Sequence, residues 1–359
     1  MSERISMAQG AGGEAMQALI KKYIIRYLGA ANGAGGAGNN CEVPLEALDD
    51  AAVINDIVFT TDSHTVKPIF FPGGDIGRLS IAGTVNDVAV MGAKPIALSF
   101  GLVLEEGFPE ADLEKILKSM GEACKEAGVA VITGDTKVVE KGALDKCIIN
   151  TSGIGIQSEE MRHNLEVVGK YRKMACRWLV DSNLRPGDKI IVSGTIGDHG
   201  VAVLSAREGY GFDTRIVSDA APMNKIIEKI LAVGGVVSIK DPTRGGLANT
   251  LNELAEKSKV QINVREEKVP IKEGVRAACE MLGIDPFQIG NEGKLVIAVV
   301  PEMAEKVLAA LRSTEHGKDA QIVGEAAAPE RHTIVMMETV VGGKRIIEPP
   351  IGDPVPRIC

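Results

Sequence analysis

The sequence predicts an α+β protein of two domains with an extended C-terminal tail. Three observations carry that expectation. The chain has 359 residues, more than one small core organises. Strand and helix patterns alternate through both halves, and several strand pairs lie close enough in sequence to be antiparallel. That favours α+β layers over a doubly wound parallel sheet. The closing stretch EPPIGDPVPRIC (348–359) holds four prolines, which forbid helix and favour an extended, semi-rigid chain.

The elements follow in order. Glu14 to Leu28 reads as a short helix with Met16, Leu19, Ile20, Tyr23, Ile24 and Tyr27 on one face. It runs into the loop GAANGAGGAGNN (29–40). AAVINDIVFTTDSHTV (51–66) gives two β-rich runs joined by Asn55-Asp56, a hairpin signal. Asp75 to Met91 is helical, with Gly92 placed to terminate it. IALSFGLVL (96–104) is a strand, Pro109–Ala127 an amphipathic helix, GVAVITGDTKVV (128–139) strand, turn and strand, and KCIINTSGIGI (146–156) a further strand. The charged, weakly periodic run 157–185 reads as a partly helical connection. Beyond it come the strand KIIVSGT, helices at His199–Glu208 and from Pro222, the strand VVSIK, and the turn DPTRGG opening a helix through Leu247, Leu251 and Leu254. KLVIAVV, a helix at 302–312, QIVGEA and a TIVMMETVVGG/KRIIEP hairpin complete the second half. The resulting division is 1–42 (helix and glycine-rich loop), 43–157 (first domain), 158–185 (connection), 186–347 (second domain) and 348–359 (flexible tail).

Composition narrows the function. Glycine is in excess at 41 residues while aromatics are only 3%, which suits close backbone approach to phosphates and argues against base stacking or aromatic cages. A net charge of −8 disfavours nucleic acid and acidic membranes as partners. The N-terminus lacks the apolar stretch of a signal peptide, and no run is long enough to span a membrane. Six widely spaced cysteines make no CxxC pair, so zinc clusters and disulfide frameworks are disfavoured and a reducing cytoplasm is the natural compartment.

Gly33–Gly38 formally matches GxGxxG, but no strand precedes it and no helix follows, so it reads as a loop. The better constellation is acidic. Asp49-Asp50, Asp62, Asn86-Asp87 and Asp135 each interrupt an apolar segment, where an unpaired carboxylate is costly and a hard cation removes the cost. Each alone reads more readily as a cap or turn; together they fit a metal–nucleotide site or a structural network. Lys137 follows Asp135 on the same strand and reads as a phosphate counter-charge, a proton-transfer group or a solvated side chain. Thr243 and Arg244 precede a helix, a place for an anion, or for a well-capped turn. Glu292 sits between glycines at a close-approach position. His64 and His199 stay ambiguous. Cys359, a thiol on a proline-rich arm, reads as a carrier of a covalent group between sites, or as an accidental end of a tail.

Taken together, DDAAV (49–53), TVNDVAVMGA (84–93), TGDTKVV (133–139), SGTIGDHG (193–200), DPTRGGLA (241–248) and the closing Pro356-Arg357-Ile358-Cys359 resemble a known family. It is the family of aminoimidazole ribonucleotide synthetase, selenophosphate synthetase and thiamine-phosphate kinase, and within it the HypE-type hydrogenase maturation proteins. The resemblance implies two α+β domains of the aminoimidazole ribonucleotide synthetase type, with N-terminal domains pairing in a homodimer and ATP and Mg²⁺ bound near that interface. It implies a carboxamide placed on Cys359 by the carbamoyltransferase HypF and dehydrated with ATP to a thiocyanate. The cyanide would then pass to iron on a HypC–HypD complex for nickel-iron hydrogenase. Asp50, Asp62, Asp87 and Asp135 are the implied metal ligands. With Asn86, Thr243 and Arg244 they form the nucleotide site, and Cys359, Lys137 and Glu292 are the implied catalytic residues. Which of Lys137 and Glu292 is the base is open at this stage. The 29–40 loop and 157–180 segment look longer than the family usually carries. The competing expectations are a related ATP-dependent enzyme acting on a small molecule, and a non-enzymatic thiol carrier.

Overall fold

The computed structural model describes residues 4–10, 12–29, 41–207, 215–329, 332–351, 355 and 357–359. The glycine-rich run 30–40, with its GxGxxG match, lies outside them.

The N-terminal helix α1 (Gly13–Leu19) continues as a wider π-type turn over Ile20–Gly29. The side expected to be buried stays largely open, with Tyr23, Ile24 and Tyr27 exposed. The first domain then builds β1 (Cys41–Val43), β2 (Ala52–Ile54), β3 (Ile57–His64), the short β4 (Phe70–Phe71) and β5 (Gly74–Asp75), α2 (Ile76–Val90), β6 (Ala93–Glu105), α3 (Glu110–Ala127), β7 (Val131–Val139) and β8 (Cys147–Gln157). Its six-stranded sheet runs β1-β2-β3-β8-β6-β7. Only β6–β7 is parallel, as the α+β expectation requires. The β2–β3 hairpin turns through Asn55 and Asp56, both at positive φ, the geometry of a two-residue type I′ turn.

The segment 128–139 was expected to turn at Gly134-Asp135, but β7 runs straight through them in register with β6. Gly134 is there for close approach: a Cβ would stand 2.6 Å from the Phe100 ring. Two helices cover one face of the sheet. Asp75 caps α2, its Oδ1 accepting from the Gly77 and Arg78 N–H groups at 2.7 and 3.0 Å. This helix is apolar on nearly every side because the sheet lies against one side and the second domain against the other.

The connection is no loose linker. Its helix α4 (Glu159–Gly169) contributes Met161, Val167 and Val168 to the core of the second domain. Trp178 and Val180 pack back against Val53, Val58 and Met91 of the first.

The second domain comprises β9 (Lys189–Val192), α5 (Asp198–Ser205), α6 (Asn224–Val233), β10 (Val236–Lys240), α7 (Gly246–Ser258), β11 (Gln261–Arg265), α8 (Glu273–Leu282), β12 (Val296–Val299), α9 (Ala304–Arg312), β13 (Gln321–Ala327), β14 (Val335–Glu338) and β15 (Lys344–Ile347). Its seven-stranded sheet has the order β10-β12-β9-β13-β11-β14-β15. The pattern reading missed β11 and α8, both short and flanked by charged residues. The described end of the tail is docked: Val355 and Ile358 are buried against Leu204.

Candidate active site

Five acids meet where the two domains face each other. Asp50 follows the Leu48 turn, Asp62 and Thr60 come from β3, Asp87 from α2, Asp241 from the end of β10, and Glu292 from the loop before β12. Thr60 Oγ1 donates to Asp87 Oδ2 at 3.0 Å and lies 3.1 Å from the Asp50 carbonyl. Burial pushes the Asp87 carboxyl well above its ordinary range, and the neighbouring Asp241, Asp62 and Asp50 push it further. Asp241 is driven up to about 8 by burial and by Asp50. Oxygen donors crowded this closely suit a hard divalent cation, which relieves the repulsion and shares phosphate oxygens. Among the described residues, no group of three or more His, Cys, Asp or Glu side chains encloses a metal by itself. A hard cation held by these carboxylates would need further oxygen ligands to complete its shell.

Cations fix the rim. The Lys240 ammonium, nearly buried, lies 2.7 Å from Asp50, 3.2 Å from Asp181 and 3.4 Å from Glu253. Lys257 pairs with Asp181 at 2.7 Å and Asp49 at 3.7 Å. A cleft of about 240 Å³ opens here, lined by Asp50, Asp241, Thr243 and Arg244, by Asn249 and Glu253 of α7, and by Gly13 and Gln17 of α1. The N-terminus of α7 adds its partial positive charge to the same cleft. Gly245 and Gly246 are both at positive φ, and a Cβ on Gly246 would collide with the Ile289 carbonyl.

Cys359 reaches this place. Arg244 Nη1 lies 3.6 Å from its Sγ and Thr65 Oγ1 3.5 Å from its carbonyl oxygen. The partly buried Arg244 guanidinium is held charged by Cys359 first, then by Asp62, Glu292 and Asp87, against the opposing effect of burial. Glu292 is buried; burial, Asp241, Asp62 and Asp219 raise its carboxyl well above the usual range, with Arg244 opposing. Its Oε1 is buried without a protein hydrogen-bond partner. Gly293 is obligatory, since a Cβ there would collide with the Asp219 carbonyl.

Two expected site residues stand elsewhere, and a third has a structural task. Asp135 and Lys137 are paired with each other at 2.7 Å, with side-chain exposures of 70% and 68%. They lie on β7 at the edge of the first sheet. Their register with Gly101 and Val103 places them on the face away from α2, whereas Asp62 projects on the α2 side beside Gly83. One copy therefore brings Asp50, Asp62 and Asp87 together but not Asp135, and Glu292 but not Lys137. Asn86 spends its amide tying the domains: it donates to the Ala221 carbonyl at 3.2 Å and accepts from the Met223 N–H at 2.7 Å.

Comparison with known proteins identifies the family. The N-terminal domain of AIR synthase related proteins matches residues 48–157, and their C-terminal domain matches 185–337. A putative hydrogenase expression/formation protein of Methanocaldococcus jannaschii is 52% identical over 99% of this chain and 100% of its own. The carbamoyl dehydratase HypE of Bradyrhizobium diazoefficiens is 44% identical over 99% and 96%. This chain belongs to the HypE carbamoyl dehydratase family. Among solved structures, that of a HypE–HypF complex superposes with a TM-score of 0.81 at 46% identity, covering 93% of this chain and 100% of the other. A HypE structure in complex with ATP gives 0.78 at 41% identity, covering 99% and 100%. Among the described residues, no helix is long and apolar enough to cross a membrane.

The HypE fold also brings to this cleft charged residues that sequence patterns do not single out. Asp241 stands in the quoted DPTRGG motif but was read only as part of a turn. Lys240, Asp181 and Lys257 carried no motif, since their partners are tens to hundreds of residues away in sequence. His64, left open, is buried 3.6 Å from Asp62, and burial lowers its pKa.

Proposed function

We propose that this protein uses ATP to dehydrate a carboxamide carried on the Cys359 thiol, giving a protein thiocyanate for nickel-iron hydrogenase maturation. The observation that carries this reading is the placement of Cys359 beside Arg244, within a cluster of acids suited to a metal–nucleotide. Family membership supports ATP as the second substrate, as in the HypE–ATP complex.

The chemistry divides into two steps. The carboxamide oxygen attacks the γ-phosphorus, ADP leaves, and the nitrogen loses one proton. The nitrogen then loses its second proton, the C–O bond breaks, and phosphate departs with the oxygen, leaving S–C≡N. Positioning and charge neutralisation do most of the work in such a transfer. Asp50, Asp62, Asp87 and Asp241 would hold Mg²⁺, which when bound neutralises phosphate charge. Thr243, Arg244 and the N-terminus of α7 would orient the phosphates. Arg244, charged at any working pH, would steady the negative oxygen. Glu292, whose carboxyl burial and the neighbouring acids raise well above the usual range, suits proton transfer at the carboxamide nitrogen. A docked tail keeps water from the phosphorylated intermediate.

Asp135 and Lys137 enter through a second copy. Ile57, Phe59 and Ile156 are exposed on the uncovered face of the first sheet, and β7, beyond β6, forms an edge of the same sheet. Pairing of these faces in a homodimer would bury the apolar surface and bring Asp135 and Lys137 of one copy toward the site of the other. HypF as carbamoyl donor and HypC–HypD as cyanide acceptor complete the partner set. A reducing, cytoplasmic setting suits six widely spaced cysteines with no CxxC pair. The test is intact-protein mass spectrometry with HypF, carbamoyl phosphate and ATP. A carbamoyl adduct on Cys359 followed by ATP-dependent loss of one water is expected; the absence of both at Cys359 overturns the reading.

A further inference from the structure

Given the proposed role of Cys359, we infer that His199 is a positioning residue that latches the tail, presenting the Cys359 thiol to Arg244 and Glu292 through the Ile358 carbonyl. His199 lies in the first turn of α5 and is fully buried. Its Nε2 is 2.8 Å from the Ile358 carbonyl oxygen. A carbonyl only accepts, so Nε2 carries the hydrogen and Nδ1 must accept. The acceptor is used: the Ser218 hydroxyl stands 2.8 Å from Nδ1, and Ser218 Oγ itself accepts from the Ala220 N–H at 3.1 Å. Tautomer and ring direction are therefore both fixed, with the Phe71 ring packed perpendicular at 5.3 Å.

The hydrogen bond falls where it controls the thiol. The Ile358 carbonyl belongs to the planar peptide from which Cys359 departs, so fixing that oxygen fixes the origin of the Cys359 side chain. Two glycines shape the slot for the Ile358 side chain: a Cβ on Gly200 or Gly290 would stand 3.1 or 3.3 Å from Ile358 Cδ1. Arg357, one residue back, donates to the Thr65 carbonyl at 2.9 Å and pairs with Asp145 at 2.6 Å. The tail is thus clamped from the first domain at Arg357 and from the second at Ile358. The His199 side of the clamp is also joined to the reacting centre. Asp219, next to Ser218, accepts from the Glu292 N–H at 3.1 Å and pairs with Lys294 at 3.3 Å. Withdrawal of the tail strips the His199 Nε2–H of its partner inside a buried pocket, which biases the tail inward.

Full-length His199→Phe, His199→Gln and Ser218→Ala variants test this. Cys359 alkylation is followed by mass spectrometry of the C-terminal peptide, beside the single-turnover rate of water loss and the affinity for ATP. His199→Phe keeps a ring but has no donor; it is expected to raise the Cys359 alkylation rate and slow water loss, each roughly five- to tenfold. ATP affinity is expected to stay put. His199→Gln restores a donor near the Nε2 position and recovers most of both rates, and Ser218→Ala falls between. Unchanged alkylation and water loss in both His199→Phe and Ser218→Ala overturn the latch, and so does a lack of recovery in His199→Gln. Should His199→Phe fail to fold, Ser218→Ala decides. Should the wild-type protein show no water loss, the proposed reaction falls, while the alkylation contrast still decides the latch.

Discussion

The Lys240 ammonium stands 2.7 Å from the Asp50 carboxylate, joining the end of β10 in the second domain to the loop that opens the first. The same ammonium reaches Asp181, and Lys257 supports Asp181 from α7. Burial opposes the charge on Lys240, yet Asp181, Asp50 and Glu253 outweigh it and hold the ammonium well above its ordinary pKa. Removing the cation leaves the largely buried Asp50 carboxylate without its ion pair and the buried Asp181 with Lys257 alone. Lys240→Met is expected to cost about 3–5 kcal/mol in urea unfolding and to weaken ATP binding. An unchanged unfolding midpoint would contradict this account.

Stability of the ligand-free protein should fall as pH rises through neutrality. Asp49, by burial and by Asp181, is raised to about 7 and Asp241 to about 8, with Asp87 and Glu292 also well above their ordinary values. A carboxyl whose folded pKa is raised binds more protons folded than unfolded. Its stabilisation is full below about pH 4 and is lost as pH climbs towards about 8. Asp181, Asp219 and Asp145 are shifted the other way, so their contribution is lost on acidification below the ordinary carboxylate range and does not offset this trend. Thermal unfolding is expected at a higher temperature at pH 6 than at pH 8.5, and Mg²⁺ with a non-hydrolysable ATP analogue should flatten the gradient. A melting temperature that rises with pH over this range would refute the assignment.

Glu292→Gln separates binding from proton transfer. The amide keeps the shape of the side chain and carries no charge where burial already disfavours one, so the fold and ATP affinity should survive. The water-loss step should slow by about 10²- to 10⁴-fold, with the carbamoyl adduct on Cys359 accumulating in the mass spectrum. A wild-type rate in this variant would remove Glu292 from the chemistry.

Complementation tests whether the site is shared between copies. Asp87→Asn and Asp135→Asn should each abolish water loss alone. Mixed one to one, random pairing gives half mixed dimers, each with one intact site, so roughly a quarter of wild-type activity should return. No recovery after confirmed subunit exchange would place Asp135 outside the partner's site.

Much of the fold was legible because it is local. The Asn55-Asp56 turn, the capping Asp75 and the αL Gly92 are fixed by residues within a few positions of where they act. The β7 segment misled because Gly134 looks like a turn residue until Phe100, far away in sequence, is seen packed on it. Asp241 was hidden inside a turn motif, while Asp181 and Lys240 acquire meaning only through each other across 59 positions.

The sequence alone determined which residue types this protein could bring to phosphate chemistry: carboxylates breaking apolar runs, glycines beside them, an arginine ahead of a helix, and a thiol on a proline-rich arm. Those properties are local and survive in a one-dimensional reading. Tertiary structure decided which of them meet. The first sheet puts Asp62 on one face and Asp135 on the other, so a single copy assembles only part of the expected set. Packing of the two domains places Arg244 beside Cys359 and within the field of Glu292, and a buried histidine from a third stretch of chain holds the residue before the thiol. Those contacts arise from long-range packing, where burial and neighbouring charge set what each group does.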